Sequence, residues 1–492
     1  MIAHTVKFIQ EKRWQLFFLL ALCVLVYWKG LHYYFVDDDW GWLKFSSITD
    51  NCFKYFNPFY KPLLARTKFF RPVPLMFVCG IYHAYKMNPF PYHLFMLVFH
   101  LFNVALLYNF VHMISKHKTY AFVASLIFAF HFENFMGVLW LGNVHSMLNV
   151  FFIFLALTAW YRFLGSGNKL FYGGALASFT LAIFSKELSI YFLSVIMFSV
   201  DLIFARKIRP GTFRELLSWR FWRKYAPFGL AIVFYLVNYA IYRYPFTYSY
   251  GYGFHFNGID QVAIILRMLQ LMLIGTYSPT LLKAFIGAAF AVFLVFALFM
   301  DRDLNRTKDR LIWLGGIWLI APTLLISVYS KERLHYCYLM SIGLGLVASG
   351  LVSQVFLKKK GLLRVLAAVL LGVLVLYWAI DMNHSAAQRI SGEWYRSLIA
   401  QVHSYLPDVS EDEKMMFVPE KRGARFTYAR LTGVVYPLEV SYGKELDIEI
   451  CFREELDKDP GRMEGFTVFK VDSDIKREYI KIEPYRRIKD KG

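Results

Sequence analysis

Apolar segments long enough to span a membrane recur through most of the chain. A helix needs about 20 residues to cross roughly 30 Å of hydrocarbon, and about eleven segments approach that length. They lie near 14–31, 93–112, 120–138, 144–163, 170–184, 188–204, 226–243, 280–300, 311–329, 334–356 and 362–380. Charged and amide residues interrupt a further segment at 259–275, which is typical of a helix in the membrane interface. The pattern predicts an all-α polytopic membrane protein.

The positions of Lys and Arg between these segments predict an orientation. Cytoplasmic loops retain Lys and Arg more often than loops that are moved across the membrane. With a cytoplasmic N-terminus, one side receives the basic connections Lys116/Lys118, Arg162/Lys169, Arg206–Lys224, Arg302–Arg310 and Lys358–Arg364. An odd number of spans then places the C-terminus on the extracytoplasmic side.

Two parts of the chain lack the pattern of membrane segments. The loop at 31–92 is much longer than a connection requires, which makes it a candidate for function. From residue 381 an amphipathic stretch, Ser391–Tyr405, precedes short β-rich runs. These runs are Met415–Val418, Val434–Val440, Asp447–Phe452 and Phe466–Val471. We predict a transmembrane domain at 1–380 and a small extracytoplasmic α/β or β-rich domain at 381–492.

Composition agrees with a membrane protein and excludes other classes. Hydrophobic residues make up 57% of the chain and charged residues 18%, against about 45–50% and about 25% in soluble domains. The formal net charge is +20. Its cations lie in short runs between apolar segments, so membrane lipids are expected partners and nucleic acid is not.

The cysteines give little indication of a metal site or a disulfide framework. Cys23, Cys52, Cys79, Cys337 and Cys451 lie far apart and lack metal-ligand spacing. Cysteines in membrane proteins are most often small apolar fillers, which is the expected role here. A bridge between Cys52 and Cys79 is geometrically conceivable, because both fall near one predicted loop.

Three adjacent carboxylates, Asp37, Asp38 and Asp39, directly follow the first apolar segment. Mutual repulsion and partial loss of hydration make such a carboxylate a better proton acceptor, which suits a general base. The alternative is a solvated acidic cluster that marks the end of a helix, or a loose cation site.

Cationic side chains occupy span junctions on the same predicted face. They are Arg71, Lys186, Lys331, Arg333 and His335. Positive charge outside opposes the usual bias and therefore needs an anionic partner. A phosphate or diphosphate held by Arg and Lys is one interpretation. Local ion pairs with Glu187 and Glu332 are the other.

Polar side chains also interrupt the apolar helices. His93, His100 and Asn103 share one face of the second predicted span. A second group, His131, Glu133, Asn134, Asn143 and His145, surrounds the turn between the third and fourth spans. A single histidine on such a face is usually a helix–helix hydrogen-bond partner, whereas several at one end of the membrane favour a site. We assign to a substrate pocket Asp37, His93, His131, Glu133 and Glu187.

The order of these residues resembles the GT-C superfamily of polytopic glycosyltransferases. The likeness comprises the acidic pair, Arg71-Pro72, Tyr92-His93, His100, Asn103, His131, Trp140, Ser185-Lys186-Glu187, Glu332-Arg333, Tyr338, Ser341 and Gly343. It is nearest to the transmembrane O-mannosyltransferases with tetratricopeptide repeats and their bacterial relatives. Protein O-mannosyltransferases and the lipid A aminoarabinose transferase are more distant. The likeness covers 14–380, departs from the pattern at Met96, Phe132 and Met136, and lacks the repeats.

The resemblance implies an enzyme that moves a hexosyl or pentosyl group from a polyprenyl-phosphate donor to a hydroxyl of a glycan, lipid or protein on the extracytoplasmic face. Laid on Phe35-Val36-Asp37-Asp38-Asp39, the family's acidic pair falls on Asp38 and Asp39. This implies Asp38 as the base of an inverting displacement, Asp39 as orienting the acceptor or a divalent cation, and Asp37 as dispensable. No other cofactor is implied. The donor phosphate would meet Arg333, Lys331, His335, Lys186 and Arg71.

Two other functional classes share part of the pattern. A polysaccharide polymerase or ligase acting on lipid-linked glycans would share the cations. Its main functional residues would normally be Arg and His, without an acidic triplet. A lipid or glycan transporter would place ionisable residues near the midplane. The chain ends Lys489-Asp490-Lys491-Gly492, without a signal for retention in the endoplasmic reticulum. The expected location is therefore a bacterial inner membrane.

Overall fold

The computed structural model describes the chain in several stretches. The described residues are 2–60, 69–131, 134–206, 218–243, 258–274, 307–328, 336–358, 372, 387–410, 413–419, 434–456, 458, 460–474 and 479–484. They form a mostly helical structure with a small sheet toward the C-terminus.

Helices fill the described chain up to residue 358. They are α1 (Ile2–Tyr27), α2 (Asp39–Ser47), α3 (Pro72–Tyr85), α4 (Pro89–Ser115), α5 (Lys118–Phe130), α6 (Asn134–Leu139), α7 (Val144–Ser166), α8 (Lys169–Ser185), α9 (Ser189–Val200), α10 (Trp219–Trp222), α11 (Ala226–Arg243), α12 (Gly258–Ile274), α13 (Thr307–Val328) and α14 (Cys337–Lys358). Further helical turns lie at Trp28–His32, Cys52–Phe56, Leu141–Asn143 and Asp201–Arg206.

Short polar residues set several helix boundaries. Asn88 and Asn168 precede α4 and α8, and each side chain accepts the N–H of the residue two positions on. Such caps satisfy amide groups that have no partner within the first turn. Gly167 ends α7 with a φ of 68°, the left-handed conformation that glycine adopts without strain.

The predicted membrane segments are helical over most of the residues that the structure describes. Trp14–His32, Pro89–Ser115, Leu141–Ser166 and Ala226–Arg243 are long and apolar enough to cross a membrane. The chain is therefore an integral membrane protein. The segment at 259–275 is also helical. Because 280–300 and nearly all of 362–380 lie outside the described residues, the total of about eleven spans stays a prediction.

The third predicted span, 120–138, is not one continuous helix. α5 ends at Phe130 and α6 begins at Asn134. His131 follows α5 with a ψ of 126°, and its Nε2 donates to the carbonyl oxygen of Met272 in α12 at 2.8 Å. The prediction of an unbroken helix was wrong, and the contact with α12 holds the chain at the break.

The helices meet around a buried polar cluster and a close backbone contact. The hydroxyl of Tyr338 in α14 lies 3.0 Å from Nδ2 of Asn103 and 3.0 Å from Nδ1 of His100, both in α4. On the opposite side of α14, a Cβ atom at Gly315 would lie 2.7 Å from the carbonyl oxygen of Gly343. Small residues thus let α13 and α14 approach closely.

A disulfide links Cys52 to Cys79, with the two Cα atoms 5.7 Å apart. It joins the helical turn at Cys52–Phe56 to α3. The expectation that these cysteines are apolar fillers was wrong for this pair, because the first loop folds back onto α3. Disulfides persist in oxidising, extracytoplasmic compartments, which supports the predicted position of the loop outside the cytoplasm.

The C-terminal region is a small α/β unit. Its elements are α15 (Ala387–Tyr405), β1 (Lys414–Pro419), α16 (Tyr436–Tyr442), β2 (Asp447–Ile450), α17 (Arg453–Leu456), β3 (Thr467–Asp474) and β4 (Tyr479–Pro484). The strand order is β2-β1-β3-β4, with β1 parallel to β2 and β3, and β4 antiparallel to β3. Gln401 of α15 binds the backbone of β4 through Ile480 and Ile482.

Most predictions for this region are confirmed. The amphipathic stretch forms α15, and three of the predicted β-rich runs form β1, β2 and β3. The run at Val434–Val440 was predicted as β-rich but largely forms α16. Pro437 in the first turn favours a helix start, and Gly443 follows α16 with a φ of 71°. β4 was not predicted, and the domain boundary at 380/381 lies outside the described residues.

We expect the predicted topology to place both the first loop and the C-terminal unit outside the cytoplasm. A reporter enzyme that is active only outside should work when fused after Gly492 and be inactive when fused at Lys207. A cytoplasmic reporter at the same two positions should give the reverse pattern. Activity of the external reporter at Lys207 alone would contradict the assignment.

Candidate active site at the acidic turn

The acidic segment forms a tight turn before α2. Asp37 has a φ of 45°, a left-handed conformation that Asp adopts more readily than most residues. The N–H of Asp39 donates to the carbonyl oxygen of Val36 at 2.9 Å and closes the turn. Asp38 is the N-cap residue of α2 and is exposed. The turn therefore places consecutive carboxylates in different surroundings.

Asp39 is completely buried. Its Oδ2 accepts the backbone N–H of Val36 at 3.0 Å, and its Oδ1 accepts that of Gly142 at 2.7 Å. Burial raises the pKa of Asp39 well above its ordinary value, although these two N–H donors oppose the rise. Because both oxygens bind the backbone, we propose a structural role for Asp39 in place of the predicted role toward an acceptor or a cation.

Helix α15 contacts the acidic turn directly. The hydroxyl of Tyr395 donates to Oδ1 of Asp37 at 3.1 Å, and its ring lies 5.7 Å from that of Trp40. The guanidinium of Arg396 lies 5.0 Å from the centre of the Tyr34 ring. A Cβ atom at Gly392 would lie 2.9 Å from the carbonyl oxygen of Tyr34, so glycine permits this close approach.

A second contact joins the C-terminal unit to α2. Nζ of Lys44 lies 3.1 Å from Oε2 of Glu439 in α16, and the two side chains are 3% and 9% exposed. Oε1 of Glu439 accepts the N–H of Leu446 at 3.3 Å. A buried ion pair of this kind fixes orientation, because either charge left alone would be costly. The C-terminal unit thus holds the acidic turn and α2 from one side.

Arg71 and Glu187 form a bidentate ion pair. Nε of Arg71 donates to Oε2 of Glu187 at 2.8 Å, and Nη2 donates to Oε1 at 2.6 Å. The guanidinium also lies 4.1 Å from the centre of the Phe69 ring. Although burial favours the neutral acid, Arg71 keeps the pKa of Glu187 below its ordinary value. The pair connects the start of α3 to the turn between α8 and α9.

Lys186 lies next to this pair and is buried. Its Nζ donates to Oγ of Ser146 at 2.8 Å and lies 4.1 Å from the centre of the Tyr336 ring. Ser146 belongs to the first turn of α7, which follows Gly142. Hydrogen bonds from Asp39 and from Lys186 thus both reach residues 142–146 at the start of α7, and Lys186 is the sequence neighbour of Glu187, which binds Arg71.

Two residues predicted for the substrate pocket bind backbone carbonyls instead. Nε2 of His93 donates to the carbonyl oxygen of Tyr33 at 2.9 Å, and His131 binds Met272 as described above. Both imidazoles are buried. These contacts agree with the alternative that such histidines join segments of the fold. Their contribution to a pocket stays a prediction.

Other predicted site residues lie outside the described part of the chain. They are Glu133, Lys331, Arg333 and His335. Within the described part, the group of side chains close enough to share a metal ion is Cys52, Cys79 and His83. The two cysteines are joined in a disulfide and offer no thiolate. A divalent cation near Asp38 therefore stays a prediction.

Sequence reasoning missed the partners that hold these side chains. Gly142, Ser146 and the C-terminal residues Tyr395 and Glu439 carry no motif that singles them out. The amphipathic pattern of α15 indicated a packed helix but not the surface against which it packs.

Comparison with known proteins identifies the architecture. No protein-family model and no curated protein matches the sequence. The crystal structure of ArnT from Cupriavidus metallidurans bound to undecaprenyl phosphate matches with a TM-score of 0.51 and 12% identity, over 92% of each chain. The same protein in the apo state matches with a TM-score of 0.50, 12% identity and 92% of each chain. The chain shares its fold with ArnT.

A third solved structure shows a weaker likeness. It is the Archaeoglobus fulgidus oligosaccharyltransferase tethered to an acceptor peptide, with a TM-score of 0.49 and 13% identity. That match covers 88% of this chain and 64% of the oligosaccharyltransferase. The GT-C fold predicted from the order of the polar residues is confirmed by the two ArnT structures.

We expect Asp39→Ala to destabilise the protein. Removing the carboxylate leaves the N–H groups of Val36 and Gly142 buried without their acceptor, at a cost of about 1–3 kcal/mol for each group. Asp39→Asn keeps one oxygen acceptor and should cost less. Thermal unfolding of the detergent-purified variants measures both effects, with exposed Asp38→Ala as control. An Asp39→Ala midpoint equal to that of wild type would contradict the structural role.

We expect the ion pair between Lys44 and Glu439 to hold the C-terminal unit in place. Lys44→Met leaves a buried carboxylate without its cation and should lower the free energy of unfolding by about 3–5 kcal/mol. Adding Glu439→Gln should recover part of this loss, since the amide oxygen still accepts the N–H of Leu446. Denaturant unfolding and the rate of proteolysis within 381–492 measure the effect. A double variant less stable than the single one would exclude the pairing.

Proposed function

We propose that the protein is an integral membrane glycosyltransferase. It would move a sugar from a polyprenyl-phosphate-linked donor to a hydroxyl of a glycan, lipid or protein on the extracytoplasmic face. The observation that carries the proposal is the series of contacts that joins the acidic turn, the start of α7, Lys186 and the Arg71–Glu187 pair. These contacts support the proposal that a base in the acidic turn and the cations Lys186 and Arg71 serve one site.

Asp38 is the best candidate for the base. It is exposed at the N-terminus of α2, whereas Asp39 is buried and binds two backbone N–H groups. Asp37 accepts the hydroxyl of Tyr395. In the proposed reaction Asp38 takes the proton of the acceptor hydroxyl while that oxygen forms a bond to the anomeric carbon. The bond from that carbon to the phosphate oxygen breaks, and the configuration inverts.

The departing group is a polyprenyl phosphate that gains negative charge as the bond breaks. Lys186 is positioned to stabilise this charge, because its ammonium is buried beside the first turn of α7. The aligned peptide dipoles give that end of the helix a partial positive charge. Arg71, which is held by Glu187, is proposed to contribute a second cation. Arg333, Lys331 and His335 are proposed to complete the phosphate site.

The fold supports a lipid-linked donor. ArnT, which shares the GT-C architecture, was solved with undecaprenyl phosphate bound. An amphiphilic donor can keep its prenyl chain among the apolar helices while its phosphate reaches the polar end of the bundle. We propose that this chain binds a donor of the same chemical class.

We expect Asp38→Asn to lower turnover by about 10²–10⁴-fold, the usual contribution of a general base. The substitution keeps the shape of the side chain but removes its basicity, so binding of the donor should persist. Asp37→Asn should have little effect, since the amide oxygen still accepts the hydroxyl of Tyr395. Transfer from polyprenyl-phosphate hexoses by the purified protein measures turnover.

The two variants also test the register of the acidic segment. Collapse of turnover in Asp37→Asn with near-normal turnover in Asp38→Asn would shift the base by one residue. Normal turnover in both, and in Asp39→Asn, would remove the proposed mechanism.

A further inference from the structure

Asn143 stands at the N-cap position of α7 but does not cap the helix. Its side chain makes no hydrogen bond to the first turn and is fully buried. Neither Nδ2 nor Oδ1 has a hydrogen-bond partner among the described residues. A buried polar atom without a partner destabilises the folded state. Such an arrangement in a native fold requires an explanation.

Asn149 provides a comparison within the same helix. It is also buried, but its Nδ2 donates to the carbonyl oxygen of Ala182 at 2.9 Å and to Oγ of Ser189 at 2.5 Å. Asn149 thus joins α7 to α8 and the start of α9. The amide of Asn143 makes no equivalent contact in the described structure. Hydrogen bonding between helices therefore does not explain why an asparagine is buried at this position.

Asn143 lies in the segment that links the two halves of the proposed active site. Its neighbour Gly142 donates to the carboxylate of Asp39. Ser146 is the third residue of α7, three positions after Asn143. Ser146 accepts a hydrogen bond from Lys186. The ring of His145 stacks on that of Trp42, with centroids 6.3 Å apart.

We propose that Asn143 binds hydroxyl groups of the donor sugar and determines which sugar is transferred. This inference rests on the proposed function. The amide offers one donor group and one acceptor, and both lack partners among the described residues. Phosphate oxygens accept hydrogen bonds, so a phosphate would satisfy only Nδ2. A pair of sugar hydroxyls donates and accepts, and satisfies both atoms.

The neighbouring groups place the sugar at this point. Lys186 and the positive end of α7 attract the donor phosphate. Lys186 binds Ser146, which lies about one helical turn after Asn143 in the sequence. In a sugar phosphate the ring is bonded directly to the phosphate, so hydroxyls of the ring reach Asn143 while the phosphate meets Lys186. A site built to bind a hydroxyl discriminates against an analogue that lacks it, because the analogue leaves the amide without a partner.

The test compares wild type with Asn143→Leu, a change of similar size that removes the amide. The donors are polyprenyl-phosphate hexoses and pentoses and the monodeoxy counterparts of each, offered to purified protein. Wild type should prefer the sugar that it transfers best over one of its monodeoxy counterparts by roughly 10- to 100-fold in kcat/KM. Asn143→Leu should lose about this factor with that sugar, and little with the deoxy donor, so the preference disappears.

Stability separates binding from a structural role. Asn143→Leu should unfold at the same temperature as wild type or higher, because an apolar group of the same shape replaces an amide without partners. The matched control Asn149→Leu should unfold at a lower temperature, since it breaks two hydrogen bonds. Equal loss with every donor, or a lowered midpoint for Asn143→Leu, would assign Asn143 to the fold and overturn the inference.

Two other outcomes would lead to different conclusions. Unchanged activity and unchanged preference in Asn143→Leu would show that only water meets the amide, which also overturns the inference. Absence of transfer by wild type from every polyprenyl-phosphate hexose and pentose would instead remove the proposed function on which the inference rests.

Discussion

The carboxylate of Asp39 binds two segments that are far apart in the sequence, and the geometry of the site depends on this contact. One backbone N–H comes from Val36 in the same turn, and the other from Gly142 before α7. A carboxylate without hydrogen bonds would be too costly to bury. Because both oxygens are bound, the acidic turn and the start of α7 keep one relative position. Asp38, Asn143 and Lys186 are arranged by that same constraint.

Much of the fold could be predicted because membrane helices follow one simple rule of length and apolarity. The sheet of the C-terminal unit was largely visible in its alternating pattern. The run at Val434–Val440 was misassigned because its β-branched residues outweighed Pro437 and Gly443, which mark the ends of a helix. The disulfide depended on how the first loop folds back onto α3, and no spacing rule gives that.

The candidate site was less predictable, because residues of the same type take different roles that depend on the groups they contact. Asp37, Asp38 and Asp39 are indistinguishable by type, and only burial and hydrogen bonding separate them. Glu187 was considered as a local ion-pair partner, but its oxygens bind Arg71 from a distant segment. Two local features that destabilise the folded state also lie in the candidate site. They are the positive φ of Asp37 and the buried amide of Asn143, which has no partner among the described residues. Such features are expected where a site is prepared for a ligand.

The contact between Tyr395 and Asp37 also affects the order in which the protein is assembled during synthesis. The two residues are 358 positions apart, and ribosomes add about 5–20 residues per second, so α15 is made roughly 20–70 s after the acidic turn. During that interval the turn is already synthesised but lacks the helix that packs on it. A chain that stops early therefore inserts its helices without completing the turn. The acidic turn therefore gains its packing against α15 only after the described membrane helices have been made.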